Sequence, residues 1–179
     1  MESHITTEKL NFLHENFNDF ETEISQIISI LEKKKIAVLS TSKKGIIDSC
    51  QMTYVSNGLD IFMQTDDRFE KITNIKSNEN VSVVVGSLTI QGKAVLFGKP
   101  NKSDLFVEKI KSKCYKTYEN YTNLPHQILI KITPVRCKLW KFENIGGQRE
   151  EIIKIVDIPN KKIDVIVCDR LKSEYELIR

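Results

Sequence analysis

The apolar residues of the chain change their spacing near residue 36. Between residues 20 and 32 they recur three and four positions apart, which predicts an amphipathic helix. Asn18 or Asp19 is suited to cap the start of this helix. Three lysines at positions 33–35 come at its C-terminal end, where the helix dipole favours positive charge. A weaker stripe over residues 7–17 predicts a preceding helix. Farther along, the apolar residues alternate or form short runs, and that pattern predicts strands.

The strand pattern predicts a mainly β fold with flanking helices. Hairpin signals such as Asn57-Gly58 join neighbouring strands through short turns, so most strand pairs should be antiparallel. Gly92 in mid-strand indicates a bulge or a close approach of backbone. About six core strands fit a closed or nearly closed small barrel, because closure removes the edges of a sheet. The predicted strands are 36–41, 49–55, 59–65, 81–85, 88–97, 128–133, 136–142, 151–157 and 162–168, with later helices over 69–75 and 102–121.

Composition and cysteine spacing narrow the class of protein. A chain of 179 residues with 40% apolar and 28% charged residues fits a globular protein of one domain with extensions. No apolar run approaches the ~20 residues that cross a membrane, and the acidic N-terminus lacks the order of a signal peptide. We therefore expect a cytoplasmic protein that binds no membrane. The four cysteines and three histidines are widely spaced, so no metal site is expected.

The charge is unevenly distributed along the chain. Residues 1–32 hold seven acidic side chains and one lysine, whereas the whole chain has a net charge of +3. This asymmetry suggests that the N-terminal segment packs near a basic surface of its own chain or of a partner subunit. A lysine cluster over residues 102–116 lies on one predicted helix without interleaved arginines or exposed aromatics. We interpret it as a solvated face and expect no nucleic-acid partner.

The segment from Leu59 to Val85 carries the clearest chemical signal. An apolar strand ends in Gln64-Thr65, an acidic loop follows, and Lys71 opens a short amphipathic helix. That order can place a hydroxyl and an ammonium beside backbone N–H groups, which suits a phosphate. A cation on the first turn of a helix is electrostatically unfavourable unless an anion lies nearby. This favours a ligand-binding lysine over a solvated one.

The order of these segments resembles the flavin-binding split barrel of the pyridoxamine 5′-phosphate oxidase superfamily. The resemblance rests on IAVLSTSKKGIIDSCQMTYV, NGLDIFMQT, RFEKITNIKSNENVSVVV, LTIQGKAVLFG and ITPVRCKLWKF, and it covers residues 24–143. It implies a six-stranded, mostly antiparallel split β-barrel and a homodimer with FMN in two clefts at the subunit interface. We expect an N-terminal helical extension over 1–32, the barrel over 33–143, and a C-terminal extension, a hairpin with a tail, over 144–179.

The resemblance implies a set of cofactor-binding positions. Lys71 matches the family lysine that contacts the FMN phosphate, and Thr65 matches a hydroxyl residue that helps to hold it. Gln64 stands where some members carry an aromatic residue near the flavin. The remaining positions that the resemblance places near the flavin ring are Gln51, Met52, Thr53, Ser87 and Trp140.

The chain also departs from the vitamin-B6 oxidases of this superfamily. Their Ser-Arg pair before the lysine is replaced by Phe69-Glu70, so an arginine fork has become a carboxylate, which repels phosphate. Arg68, three positions before Lys71, is a candidate to replace the missing arginine as a phosphate ligand. The C-terminal segment lacks the Arg and His pattern that binds the substrate phosphate, and Arg149 is the nearest candidate. We therefore do not expect oxidation of pyridoxine phosphate.

Two classes of function follow from the resemblance. The first is an FMN-dependent oxidoreductase acting on a small molecule whose identity the sequence leaves open, with no catalytic residue assigned because no acid–base pair is visible. The second is a non-catalytic flavin- or small-molecule-binding module of a stress or sensory protein, which the Phe69-Glu70 replacement favours. Haem or nitroaromatic binding ranks lower, because no histidine suited to a haem is evident in the core.

Overall fold

Helix α1 begins the described part of the chain in the computed structural model, which comprises residues 19–145 and 147–167. The helices are α1 (Phe20–Lys33), α2 (Glu70–Ser77), α3 (Asp104–Lys113) and α4 (Tyr115–Tyr121), with a 3-10 turn at Pro100–Lys102. The strands are β1 (Ile36–Lys43), β2 (Ile46–Thr53), β3 (Val55–Asn57), β4 (Asp60–Asp66), β5 (Asn80–Val85), β6 (Leu88–Leu96), β7 (Gln127–Ile145), β8 (Gln148–Asp157) and β9 (Lys162–Val167). The helix predicted over 7–17 lies outside the described residues.

The strands form one antiparallel sheet that is rolled into a barrel. Hydrogen-bonded neighbours run in the order β2-β1-β5-β6-β7-β4-β3, and β8 and β9 extend the sheet from β7. The first and last strands of this path, β2 and β3, are separated in the chain by Tyr54 alone. Residues 46–57, which bend at Tyr54, therefore form both edge strands of this path and bring the two edges of the sheet together. The predicted fold class is confirmed, although the described residues form nine strands rather than six.

Tyr54 fixes the corner at which this stretch bends. Its side chain is fully buried, and its hydroxyl donates to the Leu31 carbonyl at 2.8 Å. Its backbone N–H donates to Lys35 at 3.3 Å. Both acceptors lie at or just after the end of α1, so the helix and the corner of the barrel hold each other in place. Burial raises the pKa of the Tyr54 phenol, because the interior disfavours the phenolate.

The main core fills the inside of the barrel, and α1 contributes to it directly. Ile27 and Leu31 of α1 are fully buried beside residues of β4 and β6, such as Met63 and Ile90. The predicted cap is present, because Asp19 accepts a hydrogen bond from the backbone N–H of Glu21 at 3.2 Å. A second cluster lies under α3 and comprises Val55, Phe62, Phe106, Ile110 and Leu129.

A bulge lets β6 and β7 pass Pro134 without interruption. Gly92 pairs with Pro134 while Gln91 pairs with Arg136, so Val135 is the extra residue of the longer strand. A Cβ on Gly92 would lie 2.7 Å from the Thr133 carbonyl oxygen, which explains the glycine. The expected close approach at Gly92 is therefore present. The two strands predicted around Pro134 are one strand, because the bulge accommodates a residue that has no N–H to donate.

The single helix predicted over residues 102–121 is divided at Cys114. The backbone there leaves the helical region, with φ −149° and ψ 69°, and α4 starts at the next residue. Phe106 and Ile110 are buried in the second cluster, and Cys114 and Tyr118 pack against it. The apolar stripe was thus correctly placed, but the prediction of one continuous helix was wrong.

The described part of the chain contains no helix long and apolar enough to span a membrane.

Candidate functional site

A cleft of about 270 Å³ opens along the seam of the barrel, where β2 approaches β4. Its walls come from five elements that are distant in sequence, and α4 lies along one side. The lining residues are Cys50, Gln51, Met52 and Thr53 of β2, Gln64 and Thr65 of β4, Phe69 and Lys71 at the start of α2, Thr117 and Tyr121 of α4, and Gln127 of β7. Six of the nine predicted cofactor residues are in this set. The structure therefore brings most of the predicted site together.

Lys71 is the charged residue of the cleft lining. It lies in the first turn of α2, whose N-cap residue Phe69 makes no side-chain capping hydrogen bond. The Lys71 ammonium is 4.7 Å from the centroid of the Phe69 ring. Within the described ranges, no carboxylate forms an ion pair with it. A half-buried cation and the uncapped N–H groups of a first helical turn both favour an anion.

Thr65 and Gln64 end β4 at the cleft but differ in their contacts. Thr65 is 7% exposed, and no described residue hydrogen-bonds its hydroxyl. Gln64 donates from Nε2 to the Thr117 carbonyl at 3.4 Å and accepts from the Thr122 hydroxyl at 3.0 Å. Gln64 thus holds α4 against the barrel, whereas the Thr65 hydroxyl is available to a ligand.

The edge strand β2 presents both of its faces to the cleft. Gln51 and Thr53 pair with Val38 and Ile36 on the outer face of the sheet, and Cys50 and Met52 alternate with them. Both faces contribute because β2 borders the seam. Burial raises the pKa of the Cys50 thiol, and the Lys71 ammonium opposes that rise only in part. A neutral thiol therefore lies beside the cation of the cleft.

Three sequence-based candidates lie outside the cleft lining. The Arg68 guanidinium is 67% exposed and forms a fork with Asp66, with Nε to Oδ1 at 2.8 Å and Nη2 to Oδ2 at 2.6 Å. This hydrogen bonding holds the pKa of the Asp66 carboxyl well below its usual range. Trp140 donates from Nε1 to Glu151 at 2.6 Å, and its backbone N–H donates to the Ser87 carbonyl at 3.2 Å. Ser87 and Trp140 are therefore neighbours of each other.

Sequence reasoning did not identify Thr117, Tyr121 or Gln127. Gln127 is 6% exposed and opens β7 opposite Asp66. The available signal was a polar residue at the head of the apolar run ILIKI. Thr117 and Tyr121 are four positions apart and share one face of α4. Within the described ranges, no group of three or more His, Cys, Asp or Glu side chains is arranged to hold a metal ion.

Comparison with known proteins identifies the family of this chain. The family model for pyridoxamine 5′-phosphate oxidase matches residues 24–141. The chain belongs to the pyridoxamine 5′-phosphate oxidase family. General stress protein 26 of Bacillus subtilis strain 168 is 26% identical over 123 residues, which are 64% of this chain and 85% of that protein. The family predicted from the order of the strands is thus confirmed.

Solved structures show the same fold in proteins with different names. General stress protein 26 of Bacillus anthracis Sterne is 23% identical, with a TM-score of 0.53 over 64% of this chain and 91% of that one. A FAD-binding protein of Mesorhizobium loti is 13% identical, with a TM-score of 0.51 over 63% and 90%. The Vibrio cholerae haem storage protein HutZ is 17% identical, with a TM-score of 0.51 over 64% and 89%. At these identities the similarity concerns the fold.

Proposed function

We propose that this protein is a flavoprotein that binds FMN in the seam cleft with the phosphate on Lys71. The observation that carries the proposal is a lysine in the first turn of α2 that faces the cleft beside Thr65 and pairs with no described carboxylate. Family membership and the existence of a FAD-binding relative with this fold support a flavin as the ligand.

The cleft residues fit the separate parts of FMN. The Lys71 ammonium and the first-turn N–H groups of α2 supply charge and donors for a phosphate. The Thr65 hydroxyl is a further donor at the end of β4. Backbone and side chains of Met52 and Thr53 along β2 supply an edge against which a flat ring can lie. Arg68 is left out of the proposed site because Asp66 already holds its guanidinium.

The small size of the cleft supports the proposal that a second copy of the chain completes the site. Its volume of about 270 Å³ lies below the ~300–1,000 Å³ of ordinary ligand pockets. The outer sheet face that borders the cleft through Gln51 and Thr53 continues into exposed Ile36, at 50%, and Val84, at 36%. Exposed apolar area beside a shallow site is typical of an interface. We propose a homodimer in which this face is covered and the cleft is closed.

The redox chemistry would come from the cofactor. Bound FMN supplies hydride or electron transfer, and the chain supplies binding, orientation and a shaped surface. Lys71 would neutralise the phosphate, and the side chains of Met52 and Phe69 would supply apolar surface beside the bound cofactor. The described lining contains no acid–base pair, so we assign no catalytic residue and propose a small-molecule oxidoreductase whose substrate is not a vitamin-B6 phosphate.

Substitution of Lys71 tests the phosphate assignment. Lys71→Met should weaken FMN binding by ~1.5–3 kcal/mol, the range for a hydrogen bond to a charged group, measured by titration calorimetry. The matched control is Lys76→Met, which removes an exposed lysine from the last turn of the same helix and should leave the affinity unchanged. Equal FMN affinity in Lys71→Met and wild type would overturn the assignment.

A second candidate function is a flavin carrier or sensor without turnover. It is favoured by Phe69-Glu70 at the head of α2, where an arginine fork would strengthen phosphate binding. Anaerobic bleaching of the FMN-loaded protein by NADH or NADPH, followed by reoxidation with an acceptor, indicates an enzyme. Stable yellow protein that neither donor bleaches indicates a carrier. Haem binding is less favoured, because His126, the histidine within the described ranges, does not line the cleft.

A further inference from the structure

A cavity that shares no residue with the seam cleft lies where the end of α1 faces α3. Its volume of about 410 Å³ is within the ~300–1,000 Å³ of ordinary ligand pockets. The proposed flavin site uses none of its side chains, so the cavity is open to a ligand of another kind. The lining residues are Glu32 of α1, Val55 and Ser56 of β3, and Glu108, Lys109, Ser112 and Lys113 of α3.

The corner of the barrel holds the amine of Lys113 in a fixed place at this cavity. The side chain is half-buried, and its ammonium donates to the Leu31 carbonyl at 2.8 Å. The same ammonium lies 4.0 Å from the centroid of the Tyr54 ring. Tyr54 is fully buried, and its hydroxyl donates to the Leu31 carbonyl as well. The amine is therefore positioned by a rigid part of the fold.

The contacts of the Lys113 nitrogen suit a cation with one N–H better than a cation with three. A lysine ammonium has three N–H donors, and within residues 19–145 and 147–167 its one hydrogen-bond acceptor is the Leu31 carbonyl. That carbonyl lies in the last turn of α1, where the helix dipole favours positive charge. The face of the Tyr54 ring also attracts a cation. A protonated Schiff base keeps the charge and one N–H, so it retains each of these contacts and has no further donor to satisfy.

Burial also makes the Lys113 amine more nucleophilic near neutral pH. Loss of hydration lowers the pKa of Lys113 to about 8, and the nearby cations Lys109 and Lys35 act in the same direction, whereas Cys114 and Glu32 oppose the change. At pH 7 about one such amine in ten is neutral, against roughly one in 2,500 for an ordinary lysine. Proteins prepare lysines for Schiff-base formation by removing water from them or by placing a second cation beside them.

We infer that Lys113 is a Schiff-base-forming lysine and that the cavity beside it takes a small aldehyde. The neutral amine attacks the aldehyde carbon, and a C–N bond forms. The carbonyl oxygen then takes one proton from the amine and one from solvent and leaves as water, which produces a protonated C=N bond and requires no oxidant or reductant. This inference goes beyond the proposed flavin site and does not depend on it.

Reductive trapping of the wild-type protein tests the inference. Propanal and sodium cyanoborohydride are added at pH 7, so that each Schiff base is reduced to a stable propyl amine, and peptide mass spectrometry follows the modification of each lysine. Lys113 should react at least ~10-fold faster than Lys111, which is less than the difference in neutral amine because burial slows access. Lys111 is the matched control, since it lies on the same helix with its ammonium 4.6 Å from the Tyr118 ring centroid but is exposed and outside the cavity.

Equal rates for Lys113 and Lys111 in the folded protein would overturn the inference. In urea that unfolds the chain the two rates should converge, because both amines are then hydrated, and an advantage of Lys113 that persisted there would also overturn it. Ser112→Trp places a bulky side chain at an exposed position of the cavity wall and should slow the reaction of Lys113 several-fold. An unchanged Lys113 rate in this variant, with folding verified by circular dichroism, would show that the aldehyde does not use the cavity.

Discussion

The buried ion pair between Glu23 and Lys154 provides a sharp test of how α1 is attached to the rest of the fold. The two side chains are 5% and 2% exposed, and the Lys154 ammonium contacts Glu23 Oε1. Burial lowers the pKa of Lys154, because the interior disfavours its charged form, although Glu23 opposes this effect. Glu23→Gln removes the carboxylate that contacts this buried ammonium. We expect a loss of about 3–5 kcal/mol of unfolding free energy, the range for breaking one side of a buried pair.

The assay is urea unfolding followed by circular dichroism in the absence of flavin. At ~2 kcal/mol per molar of urea, the expected loss lowers the unfolding midpoint by roughly 2 M. The matched control is Glu79→Gln, which removes a partner from the exposed Lys93–Glu79 pair, with 57% and 51% exposure, and should cost less than ~1 kcal/mol. The double variant Glu23→Leu with Lys154→Met should be more stable than Glu23→Gln, because no charge remains buried. Equal midpoints for Glu23→Gln and Glu79→Gln would refute the reasoning.

Two further predictions concern Lys113 and Trp140. Burial lowers the pKa of Lys113 to about 8, although its ammonium donates to the Leu31 carbonyl at 2.8 Å and lies 4.0 Å from the Tyr54 ring centroid. The folded state releases this proton at a lower pH than the unfolded state does. The unfolding free energy of wild type, relative to that of Lys113→Met, should therefore rise by about 1 kcal/mol between pH 8 and ~10.5, after allowance for solvent screening. A difference in unfolding free energy that does not change with pH, measured by urea unfolding, would contradict this. Trp140, the single tryptophan, does not line the cleft of its own protomer, so Trp140→Phe should weaken FMN binding only if a second copy places this side chain against the cofactor, measured by titration calorimetry. A loss of FMN affinity on Trp140→Phe in a monomer isolated by dilution would contradict the proposed dimer.

Strands such as β1, β5 and β6 could be predicted from the sequence because their buried residues alternate with more exposed ones. Alternation along β6 leaves Leu88, Ile90 and Ala94 inside the barrel while Gln91 and Lys93 face out. The bend at Tyr54 could not be predicted in this way, since both strands that it joins are apolar on one side. The division of the long helix at Cys114 carried no glycine or proline signal. Its cause is tertiary, because α3 packs on the second core cluster while Gln64 of the barrel holds α4.

The residues of the candidate site likewise fall into those that the sequence could predict and those that it could not. Thr65 and Lys71 lie within one short segment, so their chemistry was readable from residues in sequence order. Thr117, Tyr121 and Gln127 reach the cleft only because the barrel closes. The one local signal, a polar residue at the head of the apolar run that forms β7, does not place Gln127 at the cleft. Arg68 was expected to bind a phosphate, but its guanidinium instead pairs with the carboxylate of Asp66, two positions earlier in the chain. The cleft lies at the seam where the barrel closes, so the residues that α4 and β7 contribute to it can be identified only from the structure.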